Sequence, residues 1–399
     1  MANPPADTRP MACVMGDMDL VRPLGLAGIL CAVVGPPGSP PTHSRHVRAV
    51  IPWTDFWDRP EDLLEALVGF GAAQPERPVL FFEEDSQLLL VSRHRDRLAG
   101  AFRFAVAGEG LVESLVDKGR FLELAERHGL PVPPTRRIRP AADARPPDLG
   151  LRFPVVVKPL TRDGRWSAVG GGGKAVLVET PAALRELWPR LREAGVDLLA
   201  QELVPGPETR MESYHVYLDG QGEIAGEFTG RKIRTFPLSL GHSTALAISD
   251  APDVAALGRD LARRLGLRGV AKFDFKRGPD GALHLLEINP RFSLWHNLGA
   301  AAGVNLPALV HADLAGLPRA AASRARAGAT WCRPLEDWRA ARADGMSAAA
   351  WARWALRCAA NASLDPRDPM PWLSGELYNG AKRLGGRWLR RPRRAVAEG

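Results

Sequence analysis

Residues 271–291 read AKFDFKRGPDGALHLLEINPR. Phe273 and Phe275 flank Asp274, Gly278-Pro279-Asp280-Gly281 supplies a turn, and Leu283 to Ile288 is a second apolar run. Two short apolar runs around a Gly/Pro/Asp cluster predict a β-hairpin. Side chains alternate along a strand, so Lys272, Asp274 and Lys276 are expected on one face of the first strand. Leu283, Leu285, Glu287 and Asn289 are expected on one face of the second. Where these faces coincide, Asp274, Glu287 and Asn289 converge as three hard oxygen donors beside cations, which is what a Mg²⁺–nucleotide site needs. Solvated charges on an exposed hairpin would look the same, so the decision rests on the rest of the chain.

Upstream, Phe153-Pro-Val-Val-Val-Lys158-Pro159 is a β-branched strand that ends in a lysine. Gly170, Gly171, Gly172 and Gly173 follow, then Lys174. Glycines let backbone N–H groups approach a phosphate closely. A Walker A loop is excluded, because Ala168 and Ala175 stand where that pattern needs Gly and Ser or Thr. A flexible lid between two strands, Val155–Val157 and Ala175–Val178, is the expected reading. Thr180 caps a helix that has Pro181 at its first position and Leu184, Leu187, Trp188 and Leu191 on one face. Leu198–Val204 is another strand, broken by Pro205-Gly206-Pro207, with Glu208 just beyond. Tyr214–Leu218 and Ile224–Thr229 form a hairpin, after which Arg231, Lys232 and Arg234 crowd into Gly230–Arg234. At period two, Lys232 and Arg234 share a face, and both are expected to bind a substrate carboxylate or phosphate.

The N-terminal part reads as a strand at Ala12–Met15, a helix from about Leu20 and a strand at Gly28–Gly35, which is a βαβ unit with a parallel sheet. A helix over Glu61–Gly69 and a strand over Pro78–Phe82 follow. Gly16-Asp17-Met18-Asp19-Leu20 lacks the glycine fingerprint of a dinucleotide site. Ligands of parallel sheets sit beyond the carboxyl ends of the strands, which makes Asp85 and Ser86 candidates for a substrate pocket.

The 399 residues are 45% hydrophobic and 25% charged, which suits a globular chain of two or three units. There is no run of 18 apolar residues and no visible secretory signal, and the four cysteines lack metal or CxxC spacing. A reducing, cytoplasmic setting is therefore expected. The net charge of +8 is local: residues 317–399 hold 16 basic and 7 acidic groups, and the other 316 residues hold 37 and 38. That distribution argues against nucleic acid as a partner. It also suggests a boundary near Leu317, beyond which six of the 11 tryptophans lie.

In order along the chain, DKGRF, HGLPVPPT, FPVVVKP, GGGG, QELVPGPE, GRKIR and KFDFK…LLEINPR resemble the ATP-grasp superfamily, in particular its carboxylate–amine (amino acid) ligases. The resemblance covers about residues 12–316. It implies an α/β chain with a parallel-sheet pre-ATP-grasp domain over 1–110 and a two-lobed α+β ATP-grasp domain over 111–316. A basic, Trp-rich helical extension over 317–399 has no counterpart.

By position, the resemblance implies that Lys118 and Lys158 contact ATP phosphates under a lid formed by Gly170–Gly173. Gln201, Glu202 and Val204 would line the adenine, and Glu208 would take the ribose. Asp274, Glu287 and Asn289 would hold two Mg²⁺ (or Mn²⁺), and Lys272 and Arg291 would face the transferred group.

The implied reaction activates a carboxylate, of an amino acid, as an acyl phosphate and joins it to an amine, releasing ADP and phosphate. A small-molecule kinase and a non-catalytic nucleotide-binding protein are the competing readings. The expected partners are the acid and the amine, with room for a homodimer. In the extension, Trp351, Trp354, Ala355 and Cys358 share a helical face, and residues 377–394 form a basic amphipathic stretch. That stretch could pack on the body or make a weak peripheral contact with an anionic membrane.

Overall fold

The computed structural model describes residues 9–54, 59–160, 165, 166, 169, 175–238, 241–321, 323–362 and 364–378. The glycine stretch Gly170–Gly173 with Lys174, and the basic stretch from residue 379 on, lie outside the described residues.

Four strands, β1 (Ala12–Met15), β2 (Cys31–Gly35), β3 (Val47–Pro52) and β4 (Val79–Phe82), form a parallel sheet in the order β3-β2-β1-β4. The strands β1, β2 and β4 are buried along their whole length, as near-continuous apolar runs in a parallel sheet should be. The edge strand β3 reads VRAVIP with only Ile51 buried, an apolar run interrupted by Arg48 and ended by Pro52, as an edge position allows. Beyond β4 the chain enters a helix at Asp85–Arg93 through a Glu84/Gln87 capping box.

A second sheet is antiparallel: β5 (Thr135–Ile138), β6 (Val155–Pro159), β7 (Val176–Val178) and β8 (Leu198–Glu202), in the order β5-β8-β6-β7. The helix Pro181–Ala194 begins where the Thr180 hydroxyl accepts the Ala183 N–H at 3.1 Å. It buries Leu184, Trp188 and Leu191 against Val155, Val157 and Leu198.

The third sheet has seven strands: β9 (Met211–Leu218), β10 (Ile224–Phe236), β11 (His242–Ser249), β12 (Gly269–Arg277), β13 (Leu283–Asn289), β14 (Thr330–Cys332) and β15 (Ala360–Asn361). Their order is β13-β12-β9-β10-β11-β14-β15. On one face Tyr214, Val216, Phe273, Phe275 and Leu285 pack with Val254 and Leu261 of the helix Pro252–Arg264. The other face carries the helices Trp295–Ala301 and Leu306–Ala315. Gly230 is where the first of these presses onto β10: a Cβ there would lie 2.2 Å from the Trp295 ring.

The cores do not follow the expected division of the chain. One apolar cluster joins Val14 and Phe81 of the parallel sheet to Phe228, Leu246 and Trp295, and to Trp331 beyond residue 317. β14 pairs with β11 and so extends the large sheet past the composition shift. Net charge is a property of the surface, whereas sheet membership follows backbone pairing, so the shift at Leu317 marks no boundary of the fold. Trp351 and Trp354, in the helix Ala348–Ala355, face the body: Trp351 packs on Trp338 at 5.4 Å, and Trp354 lies beneath Arg234. Cys13, Cys31 and Cys332 are buried and Cys358 is half-buried, all as free thiols. Among the described residues no single helix is long and apolar enough to cross a membrane.

Candidate active site

The β12–β13 hairpin pairs Asp274 directly with Glu287 and Lys272 with Asn289, which brings the expected oxygen donors to one face. A register shift between Asp274 and Phe275 corrects the expected alternation. Leu285 pairs with Phe275 and is fully buried in the core, while Leu286 lines the cleft. Leu285 therefore does not share a face with Glu287. The bulge carries an extra residue at the point where the strand passes from core to cleft.

Asp274 is almost fully buried, accepts the Ser213 hydroxyl at 2.7 Å and meets Lys272 Nζ at 2.5 Å. Burial pushes its carboxyl up, but the Lys272 ammonium, a hydrogen-bonding contact with Glu287 and the Lys232 charge together hold it below the usual carboxylate range. Asn289 Nδ2 donates to Glu287 Oε1 at 3.1 Å. Ser213 has no signal in the sequence, because its role requires β9 to lie beside β12.

This face closes one side of a cleft of about 860 Å³. Lys118, Lys158, Gln201, Glu202, Val204 and Glu208 line it, as do Asp85, Lys232, Lys276, Asp274, Glu287 and Asn289. Lys158 reaches in from β6 and donates to Gln201 Oε1 at 3.0 Å, and Gln201 Nε2 donates to the Thr135 hydroxyl at 3.0 Å. Burial depresses the Lys158 pKa, and the Glu287 charge partly offsets this. Lys118 Nζ donates to the carbonyls of Pro159 and Leu160 at 2.7 and 3.2 Å, at the start of a helix capped by Asp117. The Glu202 carboxylate is turned to Arg152, accepting its N–H at 2.8 Å, so β8 ends in the cleft with that carboxylate already engaged. Glu208 lies 3.6 Å from Lys276 and 3.9 Å from Lys232.

Lys272 and Arg291 stand one contact behind the cleft wall. Arg291 donates to Asp85 Oδ1 at 2.6 Å, to the Glu83 carbonyl at 2.6 Å and to Asn289 Oδ1 at 3.3 Å. It thus ties the carboxyl end of β4 to the oxygen-donor face. Ser86, expected beside Asp85, lies outside the cleft lining: one helical step rotates it about 100° away from Asp85. Arg234 is also corrected. Register shifts on both sides of it break the period that would pair it with Lys232, and it turns away from the cleft to bind Asp337.

A signal available in the composition goes unused in the hairpin-based reading. The chain has only seven lysines among its 53 basic residues. Five of them, Lys118, Lys158, Lys232, Lys272 and Lys276, stand in or directly behind the cleft. A compact ammonium is a point charge suited to phosphate. His215, by contrast, is packed, with its ring stacked 4.5 Å from that of Phe228.

Near the cleft, two acids lie at the ends of β1 and β4, Asp19 buried and Glu83 half-buried. Asp19 accepts Trp331 Nε1 at 3.1 Å, and Glu83 accepts the Asp17 N–H at 2.9 Å. Burial, and the repulsion of the acids around them, raises Glu83 from 4.5 to about 8 and Asp19 from 3.8 to about 7. Raised carboxyls stabilise the fold below their unfolded-state values, and this contribution is lost as pH rises through the folded ones. The melting temperature should therefore fall between pH 5 and pH 8.5, and Glu83→Gln should flatten that fall in calorimetry. A variant with the wild-type slope would exclude Glu83 as its source.

A second cavity, of about 720 Å³, lies against the helix Pro252–Arg264 and holds none of these residues. Among the described residues no group of three His, Cys, Asp or Glu side chains is placed to hold a metal ion; the oxygen-donor face of the hairpin has two carboxylates and one amide.

Residues 223–333 match a family model described as ATP-grasp in the biosynthetic pathway with Ter operon. A D-alanine–D-alanine ligase of Nitratidesulfovibrio vulgaris (strain DP4) is 29% identical over 246 residues, 51% of this chain and 74% of the relative. Biotin carboxylase from Campylobacter jejuni, solved as a β,γ-ATP complex, superposes with a TM-score of 0.61 at 13% identity, covering 80% of this chain and 74% of that one. The L-amino acid ligase from Bacillus licheniformis superposes with a TM-score of 0.59 at 15% identity, covering 77% and 74%. At these identities the two structures establish a shared fold.

Proposed function

We propose that this chain is an ADP-forming ligase of ATP-grasp type that joins a carboxylate, of an amino acid, to an amine; the family-model match, the D-alanine–D-alanine ligase relative and the shared fold support this reading. The observation that carries this reading is the pairing of Asp274 with Glu287, beside Asn289, across one cleft from Lys158 and Lys232. The donor set fits hard divalent cations. Asp274 and Glu287 face each other across the hairpin, and a cation between them would be shared by two hard oxygen donors. Asp274, Glu287 and Asn289 would hold two Mg²⁺ (or Mn²⁺), which supply Lewis-acid neutralisation of the phosphate oxygens.

The chain's own residues do the rest. Lys118 and Lys158 bind the phosphates of ATP, and Gln201, Glu202 and Val204 border the base. Lys232 holds the acid in line with the γ-phosphoryl group, and Lys272, behind the wall, holds the Asp274 carboxylate in place. The carboxylate oxygen attacks the γ-phosphorus and the bond to ADP breaks. The amine nitrogen then attacks the acyl carbon and loses a proton, and phosphate leaves with the bonding pair. Arg291 keeps Asn289 and the end of β4 in register with this chemistry.

The test is an ADP-release screen over acids paired with amines, with mass spectrometry of products. ADP and phosphate are expected only when acid, amine and Mg²⁺ are all present. AMP with pyrophosphate would overturn the reading. A stable phosphorylated acid formed without amine would replace it with a kinase.

A further inference from the structure

β10 and β11 pair regularly from Thr229 opposite Ser249 to Lys232 opposite Leu246, and then break register on both sides of Arg234. Lys232, which lines the cleft, is the last residue before that irregularity. Beyond it the ladder resumes at Arg234 opposite Ala245 and runs to Phe236 opposite His242, with its register slipped twice. At that irregularity a side-chain clamp holds the strand. Arg234 is 8% exposed, and its Nε and Nη2 donate to Asp337 Oδ1 and Oδ2 at 2.8 and 2.7 Å. Asp337 is fully buried and also accepts Thr244 Oγ1 at 3.0 Å and Trp351 Nε1 at 2.9 Å. The Arg234 guanidinium carbon lies 4.2 Å over the Trp354 ring. Asp337, Trp351 and Trp354 come from the helices Pro334–Ala343 and Ala348–Ala355, in the extension that no ATP-grasp motif covers.

A buried ion pair is a poor source of net stability, since apolar side chains of similar volume often do as well. What a planar, two-pronged pair adds is direction. We propose that Asp337 is a positioning residue: through Arg234 it fixes the bulged part of β10, and with it the reach of the Lys232 ammonium toward the acid substrate. The segment from Thr330 to Asn361 is thereby a working part of the ligase site. The role assigned to Lys232 rests on the ligase reading, whereas the clamp itself does not.

The experiment compares the full-length wild type with the double variant Arg234→Met/Asp337→Leu and with Trp351→Phe, which removes only the indole donor to Asp337. For the double variant, kcat/KM for the acid should fall about tenfold or more, which is about 1.4 kcal/mol, while KM for ATP stays within about twofold. Trp351→Phe should show a smaller loss in the same parameter. The seven lysines permit a second readout that needs no turnover: ¹³C-methylated lysine resonances, with Lys232 assigned from Lys232→Arg. The Lys232 signal should move in both variants while those of Lys118 and Lys158 stay in place.

A folded variant with unchanged kcat/KM for the acid and an unmoved Lys232 signal overturns the proposal, and Trp351→Phe decides it if the double variant does not fold. If the wild type turns over no acid and amine, the ligase reading fails, and the Lys232 signal alone then decides whether the clamp positions this residue.

Discussion

Glu287→Gln is expected to slow acid- and amine-dependent ADP release by about a thousandfold, equivalent to about 4 kcal/mol of lost transition-state stabilisation. The substitution keeps the shape of the side chain and removes one of the two carboxylate charges on the β12–β13 face. The cation-binding charge falls while the positions of Asp274 and Asn289 should hold. Without nucleotide the variant should melt at or above the wild-type temperature, because a Gln amide can donate to the Asp274 carboxylate where an ionised Glu cannot. With Mg²⁺ and ATP the wild type should gain stability by linkage, and the variant should lose most of that gain. A variant that keeps its rate, or keeps the full nucleotide-dependent shift, would remove Glu287 from the metal set. A variant that simply unfolds would point to a structural role instead.

Lys158→Met should follow the same pattern from the opposite charge. Lys158 is half-buried at the end of β6, held by Gln201 at 3.0 Å, with its pKa pushed down by desolvation. A buried ammonium with a depressed pKa destabilises the folded state at low pH, and the penalty is relieved as pH rises through the folded value. Replacing it with an unbranched apolar side chain removes that penalty, so the variant should be more heat-stable in neutral buffer. ADP release should nevertheless fall by about a hundredfold, as expected when a preorganised cation facing a phosphoryl group is lost. In the wild type, the alkaline limb of the rate profile should begin at lower pH than an exposed lysine would give, and Lys158→Met should lack that limb. Equal thermal stability together with an unchanged limb would show that Lys158 does not contact the reacting phosphate. Both variants exchange stability for function, as sites built from unfavourable local charge commonly do.

Most strands that carry the site are legible because their signals are local. FPVVVKP and KFDFK each combine a β-branched or aromatic run with a charged residue, Leu198–Glu202 is a short apolar run ending in Gln201-Glu202, and each is a strand bordering the cleft. The helix Lys118–His128 and the helix after Thr180 announce themselves by their caps. The edge strand β3, interrupted by Arg48 and ended by Pro52, and the two-residue strand β15 bury too little to leave a clear signal. Arg234 illustrates a different limit. Alternation assigns it to the cleft beside Lys232, and that inference fails because a bulge is set by pairing with β11 and by the partner Asp337, 103 residues away.

What the sequence determines by itself is the order of motifs, and hence the fold and the placing of Asp274, Glu287 and Asn289 on one hairpin. Those depend on residue types at short spacing, where strand period and turn chemistry leave few alternatives. What only the tertiary structure decides is direction and company. Leu285 goes to the core and Glu287 to the cleft because of one bulge. Asp274 is held by Ser213 from a neighbouring strand. Arg291 is bound to Asp85 of the parallel sheet. The Trp-rich extension, which composition sets apart, is built into the seven-stranded sheet through β14. Each of these contacts joins residues far apart in the chain. Their energy appears only when distant strands pair or pack, so no local pattern of residues can encode them.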